Sequence, residues 1–417
     1  MSDTAGNGAV LVVGGGISGL TAALEAAEVG NDVFIIDKNP YFGGRVAQLN
    51  QYFPKLCPPT CGLEINFRRV KDNRKVRTYT MTTVKSVSGG PGNYEVTLET
   101  APRYVNSNCT ACGDCAEVCT DEIDNAFNFG MNKTKAIYLP HEMAFPRRFV
   151  LDKDACSADC LEAIKGACKY NAVDTEMQTE TFTINVGSIV WATGWDPYDA
   201  GKLDNLKPTS SPAIITNMMM ERMAADNGPT GGKILRPGDD KEIESIAFVQ
   251  CAGSRDENHL EFCSYICCMA TFKQMTYVRE RYPEAKIYVF YIDLRTPGKY
   301  EHFREKLMSD ENSEFIKGKV ADIIAEDDGG VTMVAENAVT GAKIQQKVDM
   351  CVLATGMQPA LGDQGKALGV NMDGNGFVVS DPDKGMIAAG CAKSAADVYT
   401  SAQSATAAAL KAIQIGR

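Results

Sequence analysis

The stretch AVLVVGGGISGLTAALEAAEVGNDVFIIDK, residues Ala9–Lys38, decides the fold. Apolar Ala9–Val13 reads as a buried strand of a parallel sheet, and Gly14, Gly16 and Gly19 follow it as G-x-G-x-x-G. The Ala- and Leu-rich run beyond reads as a helix that stops at Gly30, and Asp32–Ile36 as a second strand delivering Asp37. Each glycine has its own task in such a unit. The first allows the tight turn, the second lets a pyrophosphate approach the backbone, and the third brings helix close to strand. The helix start, with Ser18 in its first turn, offers N–H groups to the phosphates, and Asp37, followed by Lys38, is placed for a ribose hydroxyl. A glycine triplet alone often just joins two elements. Strand, triplet, helix, strand and acid in this order specify a dinucleotide site.

The next residues say which dinucleotide. DKNPYFGGRVAQLN carries Gly43, Gly44 and Arg45, and two later strands end in SIVWATGWDP (Ala192, Thr193, Gly194) and DMCVLATGMQP (Ala354, Thr355, Gly356). On these motifs the chain resembles the two-dinucleotide-binding-domain flavoproteins, whose Gly-Gly-Arg segment lies against FAD. That resemblance implies FAD in the first unit and extends its contact set to Val84. Near the C-terminus GMIAAGCAKSAADVYTSAQSATAAALKAI is similar to the segment that covers the flavin, with Gly390-Cys391 where Gly-Asp is usual. The aspartate contact to the ribityl chain is therefore in question. The Ala-rich run from about Ser401 to Ile413 is expected to be a helix whose N-terminus points at the flavin ring.

Composition narrows the function classes. The chain has 417 residues, 44% hydrophobic and 23% charged, with a formal net charge of −11. That balance argues against nucleic acid or an anionic lipid surface as the main partner. Three histidines leave little scope for imidazole chemistry, whereas fifteen cysteines are many. The start MSDTAGNGAVLVVGGG has neither a basic n-region nor an h-region, and no apolar run is long enough to span a bilayer. The expected location is cytoplasmic, with no direct membrane insertion. Clustered cysteines then read as metal ligands or redox groups rather than a disulfide framework.

NCTACGDCAEVCT places Cys109, Cys112, Cys115 and Cys119 as C-x2-C-x2-C-x3-C, the bacterial ferredoxin run for a 4Fe-4S cluster, whose fourth cysteine serves the other cluster of a pair. Zinc sites more often pair two separated knuckles. The partner run ACSADCLEAIKGACKYNAVD offers Cys156, Cys160 and Cys168. CKYNAVD resembles the ferredoxin ending, and in that register Cys168 completes the first cluster with Cys109, Cys112 and Cys115. The second set keeps Cys119, Cys156 and Cys160, while Ile164 stands where a fourth ligand is expected. A three-iron cluster, a non-cysteine ligand or a lost cluster all remain open.

A flavoprotein of this kind normally carries a second Rossmann unit for NAD(P)H. Strand Ile246–Val249, a helix around Met269–Glu280 and strand KIYVFYID ending at Asp293 keep the pattern, but the glycines are gone. FVQCAGSRDENHLEFCSYICCMA keeps Gly253 alone and supplies Cys251, Cys263, Cys267 and Cys268, so NAD(P)H loses its phosphate cradle. The spacing leaves open a metal site or simply small buried residues.

QCAGSRD…FCSYICCMATFK…YVFYIDLRTPGKYE, with LETAPRYVNSNCTACGDCAEVC, KAIYLPHEMAFPRRFVLDKDAC and AAGCAKSAADV, is similar to the HdrA family, the flavin-bearing subunits of the heterodisulfide reductases. The resemblance runs over nearly the whole chain from about Ala9. It implies a 4Fe-4S cluster on Cys251, Cys263, Cys267 and Cys268 in place of nicotinamide, hence FAD with two 4Fe-4S clusters, a third on the incomplete set being left open. Compactness favours the QmoA type of the family, a flavoprotein subunit of quinone-interacting oxidoreductase complexes. That type implies as partners a second HdrA-like flavoprotein, a haem-bearing membrane subunit that holds the complex peripherally at the inner membrane, and adenylylsulfate reductase.

The expected fold class is α/β: a two-dinucleotide-binding-domain flavoprotein, thioredoxin-reductase-like, with an inserted ferredoxin-like module. The expected parts are FAD-binding segments 1–102, 177–213 and 346–417, the insert 103–176, and an NAD-domain-like unit 214–345. FPKLCPPTCGLEI adds Cys57 and Cys61 as C-x3-C, where disulfide reductases place C-x4-C on a helix. Pro58 and Pro59 resist helix there, so the pair is read as structural or accessory ahead of a working disulfide. The expected function is electron transfer between a menaquinone pool and adenylylsulfate reductase, with flavin bifurcation or confurcation left open. The alternatives are an NAD(P)H-dependent disulfide reductase and an HdrA-type subunit of a heterodisulfide reductase.

Overall fold

The structure, a computed structural model, describes residues 8–415. The first seven residues, on which the reading of the N-terminus as lacking an export signal partly rests, lie outside the described residues. The chain divides into two compact units: one comprises the chain up to Trp195, Pro359–Ser394 and the segment from Val398, and the other Asp196–Gln358 with Ala395–Asp397.

In the first unit, β1 (Val10–Val13) leads through the glycine turn into α1 (Ile17–Glu28), then β2 (Val33–Asp37), α2 (Thr60–Asp72) and β3 (Val76–Thr80). Five parallel strands form the sheet, in the order Met386–Ala388, Ser188–Trp191, β1, β2, β3. β1 and β2 are buried along their whole length, as parallel strands covered on both faces must be. Leu20, Ala23, Leu24 and Ala27 of α1 cover one face together with Ala405, Ala408 and Ala412 of the C-terminal helix Val398–Ile415. That helix contains the run expected from Ser401 to Ile413.

A second layer is antiparallel: Glu180–Val186 pairs with β5 (Asn93–Thr100), which pairs with β4 (Thr82–Gly90). Thr100 is the direct partner of Glu180. The cysteine-rich insert therefore leaves and re-enters the unit at adjacent points, which is why a folded module fits there without disturbing the sheet. Inside it, α3 (Asp114–Val118) and α4 (Ala158–Ala167) enclose a small core in which Cys115, Cys119, Cys156 and Cys160 replace the usual aliphatic residues. Arg103 anchors the insert. Its buried guanidinium donates to Arg148 O at 3.1 Å and Thr80 Oγ1 at 3.0 Å, and also to Pro40 O. Burial lowers its pKa to about 10.

The second unit repeats the plan. Its parallel sheet runs Ile214–Thr216, Met350–Thr355, Ser245–Ala252, Lys286–Tyr291, Ser313–Lys317, with α5 (Asn217–Ala224) and α6 (Cys267–Arg281) packed on it. A three-stranded antiparallel layer, Val320–Ala325, Val331–Glu336 and Lys343–Val348, stands in the place of its counterpart. Strand Met350–Thr355 corrects the expected boundary at 345/346. It pairs with strands on both sides in this second sheet, so the Ala354-Thr355-Gly356 motif belongs to the second unit.

Candidate functional site

Three constructions carry the candidate chemistry, and the first is the glycine turn. Gly14 has φ +107°, and a Cβ there would stand 2.3 Å from Ala192 O. A Cβ on Gly19 would stand 1.8 Å from Gly14 O, so helix and turn touch backbone to backbone. Gly43 N–H donates to Gly15 O at 2.8 Å, and a Cβ on Gly44 would come within 2.9 Å of Gly16 Cα. The Gly43-Gly44 segment is thus stitched directly onto the turn. α1 starts after Gly16 with no side-chain cap and no acid in its first turn, leaving its first N–H groups and the positive end of its dipole for an anion. Thr193 Oγ1 is buried with no hydrogen-bond partner among the described residues, and the space beside Gly194 (φ +71°) is open. These features fit a dinucleotide.

Several expected contacts take different forms. Asp37 is buried, and its carboxylate accepts from Gly15 N–H at 2.7 Å and from Asn39 N–H at 2.8 Å. Burial raises its pKa against the pull of those donors. Its visible work is to hold the turn. Lys38 beside it is exposed. Arg45 donates to Trp195 O at 3.2 Å and to Gln48 Oε1 at 2.9 Å, which fixes its guanidinium across the loop. The Val84 side chain is in the core, so only its backbone is available to a ligand. Gly390 (φ +58°) lies against Ser18: a Cβ would meet Ser18 Oγ at 2.0 Å. Cys391 is buried with Sγ 3.6 Å from Ser401 Oγ, at the start of the C-terminal helix. Ser18, Gly390, Cys391 and Ser401 are therefore brought together where α1 and the last helix both begin.

The second construction is the insert. Cys109, Cys112, Cys115 and Cys168 line one pocket with Val105, Ile137 and Phe149. Burial, and then the charges of Cys109, Cys168 and Cys112, push the Cys115 thiol up to about 12. Cys119, Cys156 and Cys160 form a separate group, their sulfurs all within 4.8 Å of one another. Ile164 is fully buried beside them. The insert also packs beside the Gly-Gly-Arg segment. Phe42 N–H donates to Phe145 O at 2.8 Å, Gln48 Nε2 donates to Phe127 O at 3.1 Å, and Phe67 stacks on Phe145. Sequence reasoning missed these anchors and Arg103, because nothing in a lone Arg or Phe marks what it will touch.

The third is the turn after Ser245–Ala252. The strand loses register between Val249 and Ala252, and Cys251 takes φ +56°. Ser254 N–H donates to Cys251 O at 3.2 Å, Arg255 N–H to Phe262 O at 3.1 Å, and Leu260 N–H to Gly253 O at 3.1 Å. Three amides of the loop are thus spent within it. A Cβ on Gly253 would strike Tyr198 at 2.5 Å, so a ring fills the space below it. Cys267 and Cys268 open α6, which has no side-chain cap. Burial, then the charges of Cys251, Cys268 and Cys263, raises the Cys267 pKa well above the ordinary thiol value. Burial pushes Cys268 up to about 11, with Cys251 and Cys263 adding to it. Buried thiols gathered at one helix start, with Cys251 adding to the rise of both Cys267 and Cys268, make a set that gives up its protons to a metal centre.

The Cys57 thiol is raised by burial first and by the neighbouring Cys61 side chain second. α2 begins at Thr60 immediately after Pro59, so Cys61 is on the helix and Cys57 before it.

Comparison with known proteins agrees with this architecture. A family model described as NAD(P)-binding Rossmann-like domain matches residues 12–78. The Lactococcus lactis thioredoxin reductase structure superposes with a TM-score of 0.54 at 13% identity, covering 98% of both chains, which shows the fold alone. The chain is 34% identical to the HdrA subunit of the ferredoxin/F420H2-dependent CoB-CoM heterodisulfide reductase of Methanosarcina acetivorans, over 97% of this chain and 53% of the relative. It is 33% identical to the HdrA subunit of the H2:CoB-CoM heterodisulfide,ferredoxin reductase of Methanothermobacter marburgensis, over 96% of this chain and 63% of the relative. It thus spans between half and two thirds of these oxidoreductase subunits. Among the described residues no helix is long and apolar enough to cross a membrane. On a thioredoxin-reductase-like flavoprotein fold, the chain is HdrA-like, 32–36% identical over most of its length to the HdrA subunits of heterodisulfide reductases.

Proposed function

We propose that the chain is an electron-transfer subunit that binds FAD at the glycine turn and iron–sulfur clusters at the cysteine sets. The observation that carries this is the third construction: amides spent within the loop, a tyrosine under Gly253, and four thiols at the start of α6. FAD, when bound, exchanges an electron pair for the single electrons that clusters carry. The protein's part is to place those groups. α1 sets the positive end of its dipole at one anion and α6 at another, and the apolar walls around the thiols exclude water and fix the environment that tunes their potential. Cys109, Cys112, Cys115 and Cys168 hold one 4Fe-4S cluster, and Cys251, Cys263, Cys267 and Cys268 hold another. The insert brings the first of these into the unit that binds FAD.

The finer placement follows the sequence resemblance. In it the chain relays electrons between a menaquinone pool and adenylylsulfate reductase. It works at the cytoplasmic face with a second HdrA-like flavoprotein and a haem-bearing membrane subunit. The names of the relatives favour a second reading, a subunit of a heterodisulfide-reducing complex. Affinity purification of the native complex under anaerobic conditions separates the two: haem and adenylylsulfate reductase co-purify in the first, and heterodisulfide-cleaving activity in the second.

The electron-transfer reading itself is tested by adding NADH or NADPH anaerobically to the purified chain. No bleaching of flavin absorption, with full bleaching by dithionite, is expected. Rapid bleaching by either nucleotide overturns the reading in favour of a nicotinamide-dependent disulfide reductase.

A further inference from the structure

We propose that Cys119, Cys156 and Cys160 ligate a single zinc ion, as a structural tie of the insert, in place of a second iron–sulfur cluster. The three sulfurs all lie within 4.8 Å of one another, and Cys119 and Cys160 are 3.1 Å apart. Among the described residues no other three Cys, His, Asp or Glu side chains close to that extent; the two sets of four assigned to 4Fe-4S clusters do not. The contrast has a geometric meaning. In a cubane each thiolate caps its own iron and points away from the others, so the sulfurs stand wide apart. Around one tetrahedral ion they share a centre, and a zinc–sulfur distance of about 2.3 Å sets them about 3.8 Å apart. The close trio, from 3.1 Å for Cys119–Cys160 to at most 4.8 Å, spans that single-ion spacing.

The rest of the site points the same way. Ile164 follows Cys160 by one helical turn on α4 and is fully buried against the same core, so an apolar side chain occupies the corner where a fourth iron would need a ligand. Asp121, two residues beyond Cys119, accepts from Ser157 N–H at 2.6 Å and its carboxylate lies outside the close trio, so the fourth position is left to a donor other than these side chains. The three cysteines come from the end of α3, the loop before α4 and the first turn of α4. One ion would tie these segments together in a module whose core is too small to hold them by burial alone. Soft thiolate donors select zinc over magnesium or calcium.

The test is metal analysis of the intact chain purified anaerobically, beside Cys160→Ser. The expected result is about one zinc per chain, lost in the variant, with iron content and cluster paramagnetic resonance unchanged. Loss of about three or four irons per chain in the variant overturns the proposal in favour of a cluster. Failure of the variant to fold does not shield it, because cobalt exchanged into the unaltered chain must show the thiolate charge-transfer and tetrahedral bands of a cobalt–sulfur site. Their absence overturns the proposal, as does a disulfide between Cys119 and Cys160 found by mass spectrometry in the intact chain as purified anaerobically. None of these readouts depends on NAD(P)H reactivity, so the electron-transfer reading stands or falls separately.

Discussion

In each nucleotide-binding-like unit one buried parallel strand ends in a turn that leads into a helix, and the two turns solve the same electrostatic problem differently. After β1, three glycines bring backbone against backbone, Asp37 pins the loop through Gly15 N–H, and the start of α1 is left for an anion. After Ser245–Ala252, the loop satisfies its own amides and the start of α6 carries Cys267 and Cys268. A pyrophosphate and a thiolate-ligated cluster are both anions, and both suit the positive end of a helix. The difference teaches that a Rossmann-like unit can keep its sheet, its helix and its dipole while changing the kind of anion it holds. What must change is the loop. Glycines yield room and amides to a diffusible ligand, whereas cysteines supply the bonds themselves.

Substitutions at each turn test whether they are independent. Gly19→Val should have the largest effect: its side chain meets Gly14 O, and overpacking of about 3 kcal/mol with loss of flavin is expected, read from absorbance and urea unfolding. Cys267→Ser should remove one cluster's paramagnetic resonance signal and leave flavin stoichiometry unchanged; joint loss would show that the turns are coupled. Arg103→Ala should cost about 3 kcal/mol, since a buried guanidinium bound to several acceptors is removed and they are left unpaired. Limited proteolysis should then cut the insert first. Asp37→Ala should weaken flavin binding by about tenfold, about 1.4 kcal/mol, through a loosened turn. Wild-type flavin retention in that variant would remove Asp37 from the site. The smallest effect belongs to Cys57→Ser with Cys61→Ser, which should leave electron transfer from dithionite-reduced clusters unchanged. A slowed rate would restore the pair as a redox group.

Much of the fold was legible because its signals are local. Strand, glycine turn and helix from Ala9 to Gly30 follow from residue order, and α6 and Lys286–Tyr291 stand close to where periodicity put them. The assignment of Met350–Thr355 went astray for a physical reason. An apolar strand ending in Ala-Thr-Gly reads the same whichever sheet it joins, and only pairing with Ile214–Thr216 and Ser245–Ala252 decides. The candidate sites divide the same way. Cys109, Cys112 and Cys115 are close because their spacing makes them so, while Cys168 reaches the same pocket only through the folding of the insert.

By itself the sequence determined the two kinds of turn, since a glycine without a Cβ and a cysteine with a thiol carry their chemistry wherever they fold. It also determined the presence of a ferredoxin-type run and the loss of a fourth cysteine at Ile164. The tertiary structure alone decided what depends on distance between segments far apart in the chain. It turned Asp37 toward Gly15, buried Arg103 between insert and unit, and spent the amides of the second loop on itself. It also drew Cys119, Cys156 and Cys160 closer together than either set of four. Spacing fixes which atoms are near along a chain, and packing fixes which are near in space.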